Sequence, residues 1–380
     1  MGDVENDRED WRRKAREVAK DFVAPRAGEI DARGEFSWEI ADTFGRLGFL
    51  RLLIPKEYGG EDADITSFCL VVEEIARYCA SSALLVIVQA VGTLPIVFGA
   101  TPEFKETCLT KLAREKRLVS FCLTEPETGS DASSIRTKAV QKGDCYVIDG
   151  RKCFITNGGV SDFYTVFALT SPDKKMEGIS GFVVEKGTPG LAVGKTEEKM
   201  GIRGSNTTEV ILDDVRVPLS QRIGAEGGAW WLMMRTLNRS RPAIGAQALG
   251  IAQGALDYLI QFGRDRDWFG ANEDRSVILA KLAEMTIEVE AARALVYKAA
   301  TMMDGKVKGI PVQMFSAMSK YYASDVAMKV TTDAVQMMDW EGLVHRHPLE
   351  RMMRDAKVTQ IFEGTNQVQR MVVAHTLLKG

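Results

Sequence analysis

The chain has 380 residues, enough for two or three domains, and its 45% hydrophobic and 27% charged content is that of an ordinary soluble globular protein. Its formal net charge of −3 argues against a surface built for nucleic acid or anionic membrane. Six cysteines without a Cys-x-x-Cys pair, and only three histidines, argue against a zinc or dithiol centre, so no metal site is expected.

Residues 1–117 read as mostly helical. Over Asp7–Phe22, Trp11, Ala15, Val18 and Phe22 recur at helical spacing. Ile54-Pro55-Lys56-Glu57-Tyr58-Gly59-Gly60 is a turn-rich break. Thr66–Cys79 and Ser81–Phe98 are strongly apolar helices, buried on most sides, and Glu103–Leu112 is amphipathic. Gln89, Gly92, Thr93 and Pro95 interrupt the most apolar stretch, so no run is expected to reach membrane length. Without a secretory signal the cysteines read as reduced thiols and the chain as cytoplasmic.

The pattern changes near residue 118. Short β-branched and aromatic runs, Cys145–Ile148, Cys153–Thr156, Phe163–Leu169, Gly181–Val184 and Glu209–Leu212, alternate with glycine and Asp turns. This spacing predicts an antiparallel barrel or sandwich rather than a parallel sheet. After Pro218, three long helices are predicted over about Gly228–Gly263, Ser276–Gly305 and Pro311–Met338, joined by short loops into a four-helix-type bundle. The expected fold is therefore α+β and multidomain: a helical domain over 1–117, a β domain over 118–222 and a helical bundle over 223–380.

Near the C-terminus, Arg354–Lys357 reads as the end of a short helix and Val358–Phe362 as extended. Glu363-Gly364 breaks the chain. Thr365 can then cap a last helix, with Val368, Met371, Val372, His375 and Leu378 at helical spacing. Glu363 is thus a carboxylate on a turn behind an aromatic. Partial desolvation there would raise its pKa toward that of a general base. The same pattern also fits an exposed turn glutamate at a helix start. In Phe121-Cys122-Leu123-Thr124-Glu125-Pro126-Glu127-Thr128-Gly129-Ser130-Asp131, a strand enters a tight turn whose backbone donors suit polar ring atoms or phosphates. A loop using Gly and Ser for geometry alone is the other reading.

Arg354-Asp355-Ala356-Lys357, Gln360-Ile361-Phe362-Glu363-Gly364-Thr365, Gln367 and Arg370 together resemble the C-terminal signature of the acyl-CoA dehydrogenase family. The Ile54–Gly60 and Phe121–Asp131 stretches resemble other signatures of that family. The resemblance covers nearly the whole length and implies FAD held between the β domain and the C-terminal bundle. It implies that Glu363 removes the α-proton of an acyl-CoA thioester, giving a 2-enoyl-CoA. The thioester carbonyl would be polarised by the Glu363 backbone N–H and a flavin hydroxyl. Ser240 stands where a second branch of the family carries its glutamate, so Glu363 has no rival.

By the same resemblance, Phe121, Leu123 and Thr124 approach the flavin ring, and Ser130 lies near both the flavin and the CoA pyrophosphate. Phe154 covers one flavin face, where many members have tryptophan, and Thr156 bonds near N5. Arg266 and Phe269, in Arg266-Asp267-Trp268-Phe269-Gly270, imply a contact to the flavin pyrophosphate of a neighbouring subunit, hence a homotetramer. Gln336, Thr365 and Gln367 complete the cofactor set. Asn238, Arg241, Leu84, Ile87, Phe362 and Gly364 are the substrate-side expectations, with the acyl group along Leu84–Val91. That stretch carries no arginine, which argues against a dicarboxylic acyl group. Gln89 there is either an ordinary polar helix residue or a hint of an alicyclic or functionalised acyl group. Two departures from the family stand out: Asp339-Trp340 where two glycines are usual, and a loop about one residue short after Gly270, with Ser276 in place of glutamine. Electrons would pass to an electron-transferring flavoprotein. An oxygen-using oxidase or monooxygenase, an enoyl-CoA reductase, or an inactive scaffold would keep the same fold.

Overall fold

The computed structural model describes residues 2–270, 275–305 and 311–378. Helix α1 (Gly2–Val18) runs through a π turn at Ala19–Val23 and a 3-10 turn at Ala24–Arg26 into α2 (Ala27–Arg33). Pro25, which lacks an N–H, sits in that 3-10 turn, where the missing donor costs least. Helix α3 (Trp38–Leu47) starts at Ser37, whose hydroxyl accepts from the Ile40 amide. Helix α4 (Ile65–Ala76) starts at Asp64, whose carboxylate accepts from the Ser67 amide at 2.8 Å.

Helix α5 (Ala80–Gly99) corrects one expectation. Its 20 residues run without a break through Pro95, so by length and composition it could span a membrane. In the fold it is a core helix, 83% buried over its most apolar window. Gln89 does not interrupt it, because both ends of its amide are used. Nε2 donates to the Arg117 carbonyl at 2.9 Å and Oε1 accepts from the Val119 amide at 3.2 Å. Helix α6 (Pro102–Arg114), capped by Thr101, closes the first domain.

The middle of the chain forms one eight-stranded sheet from β1 (Val119–Cys122), β2 (Lys138–Lys142), β3 (Cys145–Thr156), β4 (Phe163–Leu169), β5 (Ile179–Glu185), β6 (Leu191–Thr196), β7 (Thr207–Pro218) and β8 (Arg222–Ile223). Its order is β6-β7-β3-β2-β4-β5-β8, with β1 on β4. Most pairs are antiparallel as expected, but β1, along its length, and β2, at the Lys138–Leu169 pair, are parallel to β4. The runs Cys145–Ile148 and Cys153–Thr156 are two halves of a single strand. Gly150 lets β3 pass close to β2's approach, where a Cβ would lie 2.3 Å from Thr137 Oγ1. Strand β6 escapes sequence reading because it is mostly exposed and shows no apolar alternation. Tyr146, Ile148, Val166, Phe182, Val210 and Leu212 fill the sheet's interior.

Helices α7 (Ala229–Asp265), α8 (Arg275–Met303) and α9 (Val312–Met337) follow, close to their predicted limits. The shortened loop lies at residues 271–274, outside the described residues. One core joins both helical regions: Val72 and Ile75 of α4 pack with Ala246 and Leu249 of α7, Val289 of α8 and Val330 of α9. Ile96, Leu109, Val119, Phe163 and Leu232 seal the sheet against α5, α6 and α7. Helix α10 (Leu349–Thr359) corrects the extended reading of Val358–Phe362. Met352, Ala356 and Thr359 are buried at helical spacing, and Thr359 Oγ1 bonds back to the Ala356 carbonyl at 2.6 Å. Packing of that face overrides the β preference of Val358 and Thr359. Ile361 and Phe362 then close a turn onto the Val358 carbonyl, and α11 (Asn366–Leu378) ends the described chain.

Candidate active site

Glu363 and Gly364 are both left-handed, with φ of 55° and 91°. Glycine takes this conformation freely, and a Cβ at Gly364 would lie 2.6 Å from Gln369 Nε2. For glutamate it costs roughly 1 kcal/mol, which the surroundings must hold. They do so from three sides. Gln369 Nε2 donates to the carbonyls of Glu363 (3.2 Å) and Gly364 (2.9 Å). Lys320 Nζ donates to the Gly364 carbonyl at 2.9 Å, and the Asn366 amide donates to the Gln360 carbonyl at 2.9 Å. Thr365 Oγ1 accepts from the Val368 amide, as expected of a cap.

The turn aims the Glu363 side chain at α7. Ser240 Oγ donates to Glu363 Oε2 at 2.8 Å. Burial raises the Glu363 carboxyl above its ordinary range, while the Ser240 bond, Arg241 and Lys320 pull it back down. A carboxylate in this state is a competent proton acceptor, and the exposed-turn reading of Glu363 falls away. Arg241 is almost fully buried. It donates through Nη1 to Asn238 Oδ1 at 2.9 Å, and among the described residues its Nε finds no partner. Asn238, Ser240, Arg241 and Glu363 therefore come together as one wall, with Phe362 half-buried against the core that includes Leu84 and Ile87. Leu84 and Ile87 are themselves buried in this chain, 5% and 0% exposed.

A second group assembles on the sheet. Cys153 N–H donates to the Thr124 carbonyl at 2.9 Å, and Ser120 Oγ donates to the Thr156 carbonyl at 3.0 Å, so the two motifs adjoin. Phe121 packs against Phe167 as a tilted ring pair and Leu123 is nearly buried. Phe154 is 64% exposed, in left-handed geometry at a register shift between β3 and β7. It is not a buried strand aromatic. The bulge turns its ring out of the sheet as an open apolar face. Thr156 is half-buried and Ser130 exposed. In the turn that carries Ser130, Thr128 Oγ1 is buried without a protein partner among the described residues. An exposed aromatic face such as that of Phe154, turned out of the sheet, fits a bound planar heterocycle such as flavin.

Sequence reasoning missed what holds this loop. Glu125 accepts from the Arg136 amide (2.6 Å), the Thr137 amide (3.0 Å), Thr137 Oγ1 (2.6 Å) and Lys152 Nζ (2.7 Å). Lys152 also donates to the Leu123 carbonyl at 3.1 Å and has no exposure. The available signal was a lysine at an inward-facing position of β3.

The remaining expected residues lie apart. Arg266 caps the end of α7, paired with Glu341 at 3.0 Å and stacked on Phe262. Phe269 packs under Gly263. Gln336 and Gln367 are exposed on α9 and α11. Among the described residues no contact joins these to Glu363. Asp339, in place of the usual glycine, keeps a left-handed φ of 54°, and Trp340 is exposed with Arg346 over its ring. The backbone path of a glycine is thus retained by Asp339, a residue that tolerates that conformation.

Comparison with known proteins agrees with this layout. Models of the N-terminal, middle and C-terminal domains of acyl-CoA dehydrogenases match residues 5–116, 120–215 and 227–378. Cyclohex-1-ene-1-carbonyl-CoA dehydrogenase of Syntrophus aciditrophicus is 47% identical over 365 residues, 96% of this chain and 88% of its own. Cyclohexane-1-carbonyl-CoA dehydrogenase of Geobacter metallireducens is 45% identical over 366 residues, 96% of this chain and 95% of its own. The structure of butyryl-CoA dehydrogenase from Megasphaera elsdenii superposes with a TM-score of 0.93 at 41% identity, covering 98% of each chain. Matched domain by domain and by relatives of its own length, the chain belongs to the acyl-CoA dehydrogenase family, oxidoreductases that act on CH–CH bonds.

Proposed function

We propose that this enzyme binds FAD and converts an acyl-CoA thioester to its 2-enoyl-CoA, with Glu363 as the α-proton base. The observation that carries this is the Glu363 carboxylate, raised by burial and aimed at the wall of Ser240 and Arg241. Phe121, Leu123, Thr124, Ser130, Phe154 and Thr156 would hold the flavin ring, with Gln336, Thr365 and Gln367 on the bundle side. When bound, the flavin would supply the acceptor for the β-hydride, and an electron-transferring flavoprotein would take the electrons onward. Glu363 takes the α-proton. Among the described residues its backbone N–H donates to no protein acceptor, so it is open to the thioester carbonyl, where it would stabilise the developing negative charge. Asn238 and Arg241 would line the CoA side.

The acyl side is apolar, because Gln89 spends its amide on backbone groups and no arginine lies along Leu84–Val91. That supports a monocarboxylic acyl group and removes Gln89 as a sign of ring recognition. The names of two relatives make alicyclic thioesters the first to assay, beside straight and branched chains. Met371, Leu377 and Leu378 are exposed on α11, and Val277 and Ile287 on α8, which supports assembly into the homotetramer. Within one chain Arg266 is held by Glu341, so reaching a neighbour's cofactor would require sharing or releasing that pair. All six cysteines are free thiols, in keeping with a cytoplasmic location.

Glu363→Gln tests the base. The amide keeps the shape but takes no proton. The variant should bind FAD and acyl-CoA yet bleach its flavin about 10²–10⁴-fold more slowly in anaerobic single turnover. Bleaching at the parental rate would assign the base elsewhere. Oxygen uptake without an added acceptor would instead favour an oxidase.

A further inference from the structure

Lys320 is the charged group of the site that no motif points to. It sits in the middle of α9 with no solvent exposure. A lysine so placed gives up its hydration and needs strong reasons to stay. Its Nζ makes two hydrogen bonds, to the Gly364 carbonyl at 2.9 Å and to Asn366 Oδ1 at 2.8 Å. Both acceptors are neutral, and among the described residues Lys320 forms no ion pair. Both belong to the turn that carries Glu363. Asn366 is fixed in its own right: its Nδ2 donates to Ser324 Oγ at 2.9 Å and to Asp325 Oδ1 at 2.8 Å. Asp325 also accepts from Gln360 at 2.6 Å. Helix α9 thereby grips the turn from Gln360 to Asn366, and Lys320 reaches furthest toward the base.

We propose that Lys320 is a positioning residue for the base: its buried ammonium pins the Glu363–Gly364 turn to α9 and supplies part of the positive field in which the Glu363 carboxylate is held. This rests on Glu363 being the base. The conformation needs such a pin because two successive left-handed residues, one a glutamate, do not persist unless their surroundings over-determine them. Gln369 holds the same Gly364 carbonyl, but as a neutral donor. The charged groups acting on Lys320 are Glu363 on the turn, Arg241 on α7 and Asp325 on α9. Those acting on Glu363 are Arg241 and Lys320, with the neutral Ser240 hydroxyl. Burial lowers the Lys320 ammonium to about 7, so its charge is itself poised to change near neutral pH.

The test uses Lys320→Met, which removes charge and donor, and Lys320→Gln, which keeps a donor and removes the charge. Flavin content and substrate Kd should stay within about twofold of the parent. The rate of anaerobic flavin bleaching should fall about tenfold or more in Lys320→Met, because displacing a reacting group on the order of 1 Å can cost about 10²-fold. Lys320→Gln should lie between Lys320→Met and the parent. In both, the acid limb of the rate–pH profile should move upward, since the carboxylate loses a favourable charge. A purely structural lysine would leave that limb where it is. Should Lys320→Met fail to fold, Lys320→Gln alone decides by its profile. Folded, flavin-loaded variants whose rates and profiles superimpose on the parent overturn the proposal. If Glu363→Gln is inactive in the same assay while Lys320→Met is parental, only the role of Lys320 falls. If Glu363→Gln itself remains active, the base assignment falls first.

Discussion

Among the described residues two lysines are fully buried, Lys152 and Lys320, and they differ in what faces them. Lys152, in the sheet, meets the Glu125 carboxylate at 2.7 Å and the Leu123 carbonyl. Lys320, in the bundle, meets among the described residues a backbone carbonyl and an amide oxygen. Burial pushes both ammonium groups down, but Glu125 holds Lys152 back up, and four donors keep Glu125 below its usual range. Lys152 and Glu125 thus form a closed, self-satisfied pair whose job is the shape of the loop over Leu123–Ser130. Lys320 is left with a deficit of negative charge that only Glu363 and Asp325 partly relieve. Equal burial therefore does not mean equal role: a lysine paired on the spot belongs to the scaffold, and one paired only through the site belongs to the site.

The largest effect that could break this contrast is on stability. Lys152→Met should cost about 3–5 kcal/mol, because it leaves the Glu125 carboxylate buried and uncompensated. Flavin should be lost with it, since the loop that Glu125 shapes is the proposed ring contact. Changing Glu125 to Leu as well should recover most of the stability but not the flavin. Denaturant midpoints and bound-flavin absorbance measure both. If Lys152→Met proves as stable as the parent, the pair is not the closed unit described.

Lys320→Met should behave oppositely. The folded Lys320 titrates at about 7 and the unfolded one at the ordinary 10.5. Between these values the unfolded chain holds a proton that the folded chain has released, so this residue makes the parent more stable as pH rises from about 7 toward 10. Below about 7 both states are protonated and the burial penalty is at its full size. Lys320→Met removes that penalty. The variant should be at least as stable as the parent at pH 7, with the advantage shrinking by up to about 1.4 kcal/mol per pH unit on the way to 10. Unfolding midpoints of parent and variant, compared at each pH, cancel the contribution of Lys152. A constant difference across the range would mean that Lys320 keeps its charge throughout. A more stable but slower enzyme would fit the common trade of stability for activity at functional sites.

How much of this could be read from the chain alone follows the range of the forces. The helical, β, helical order and the limits of α7, α8 and α9 were legible, because periodicity and turn residues are local signals. Glu363 and Phe154 were singled out through motif resemblance, but the left-handed backbone that presents each of them was not legible. The continuity of β3 across Asp149-Gly150 was hidden, since it depends on Thr137 filling the space beside Gly150. The helical end of α10 was hidden because buried Thr359 obeys its packing face and not its β preference. Strand β6 offered no alternation to read. Both lysines were invisible as partners: Lys152 lies 27 residues from Glu125 and Lys320 lies 44 from Gly364. No periodicity spans such distances.

The smallest effect separates charge from neutral hydrogen bonding at the base itself. Ser240 Oγ has one proton and two acceptors within reach, Glu363 Oε2 at 2.8 Å and the Leu237 carbonyl at 3.2 Å. When Glu363 is ionised, the carboxylate is the stronger acceptor and takes the proton. When Glu363 is protonated it is a weaker acceptor and the hydroxyl can turn back to its own helix, so the neutral acid gains less from Ser240 than the carboxylate does. The contact therefore favours the ionised form selectively. Ser240→Ala removes it with little change in volume and should leave the fold, flavin content and substrate Kd unchanged. The acid limb of flavin bleaching should move upward, lowering the rate about threefold on that limb. At higher pH, where Glu363 is ionised in either protein, the rates should converge, because a slightly stronger base offsets the lost contact. Unlike Lys320→Met, Ser240→Ala leaves the α9 grip on the turn intact, so its deficit should vanish at high pH while that of Lys320→Met persists. Matching high-pH deficits in the two variants would show that Lys320 acts on Glu363 no differently from a hydroxyl, and the distinction between the two buried lysines would lose its functional half.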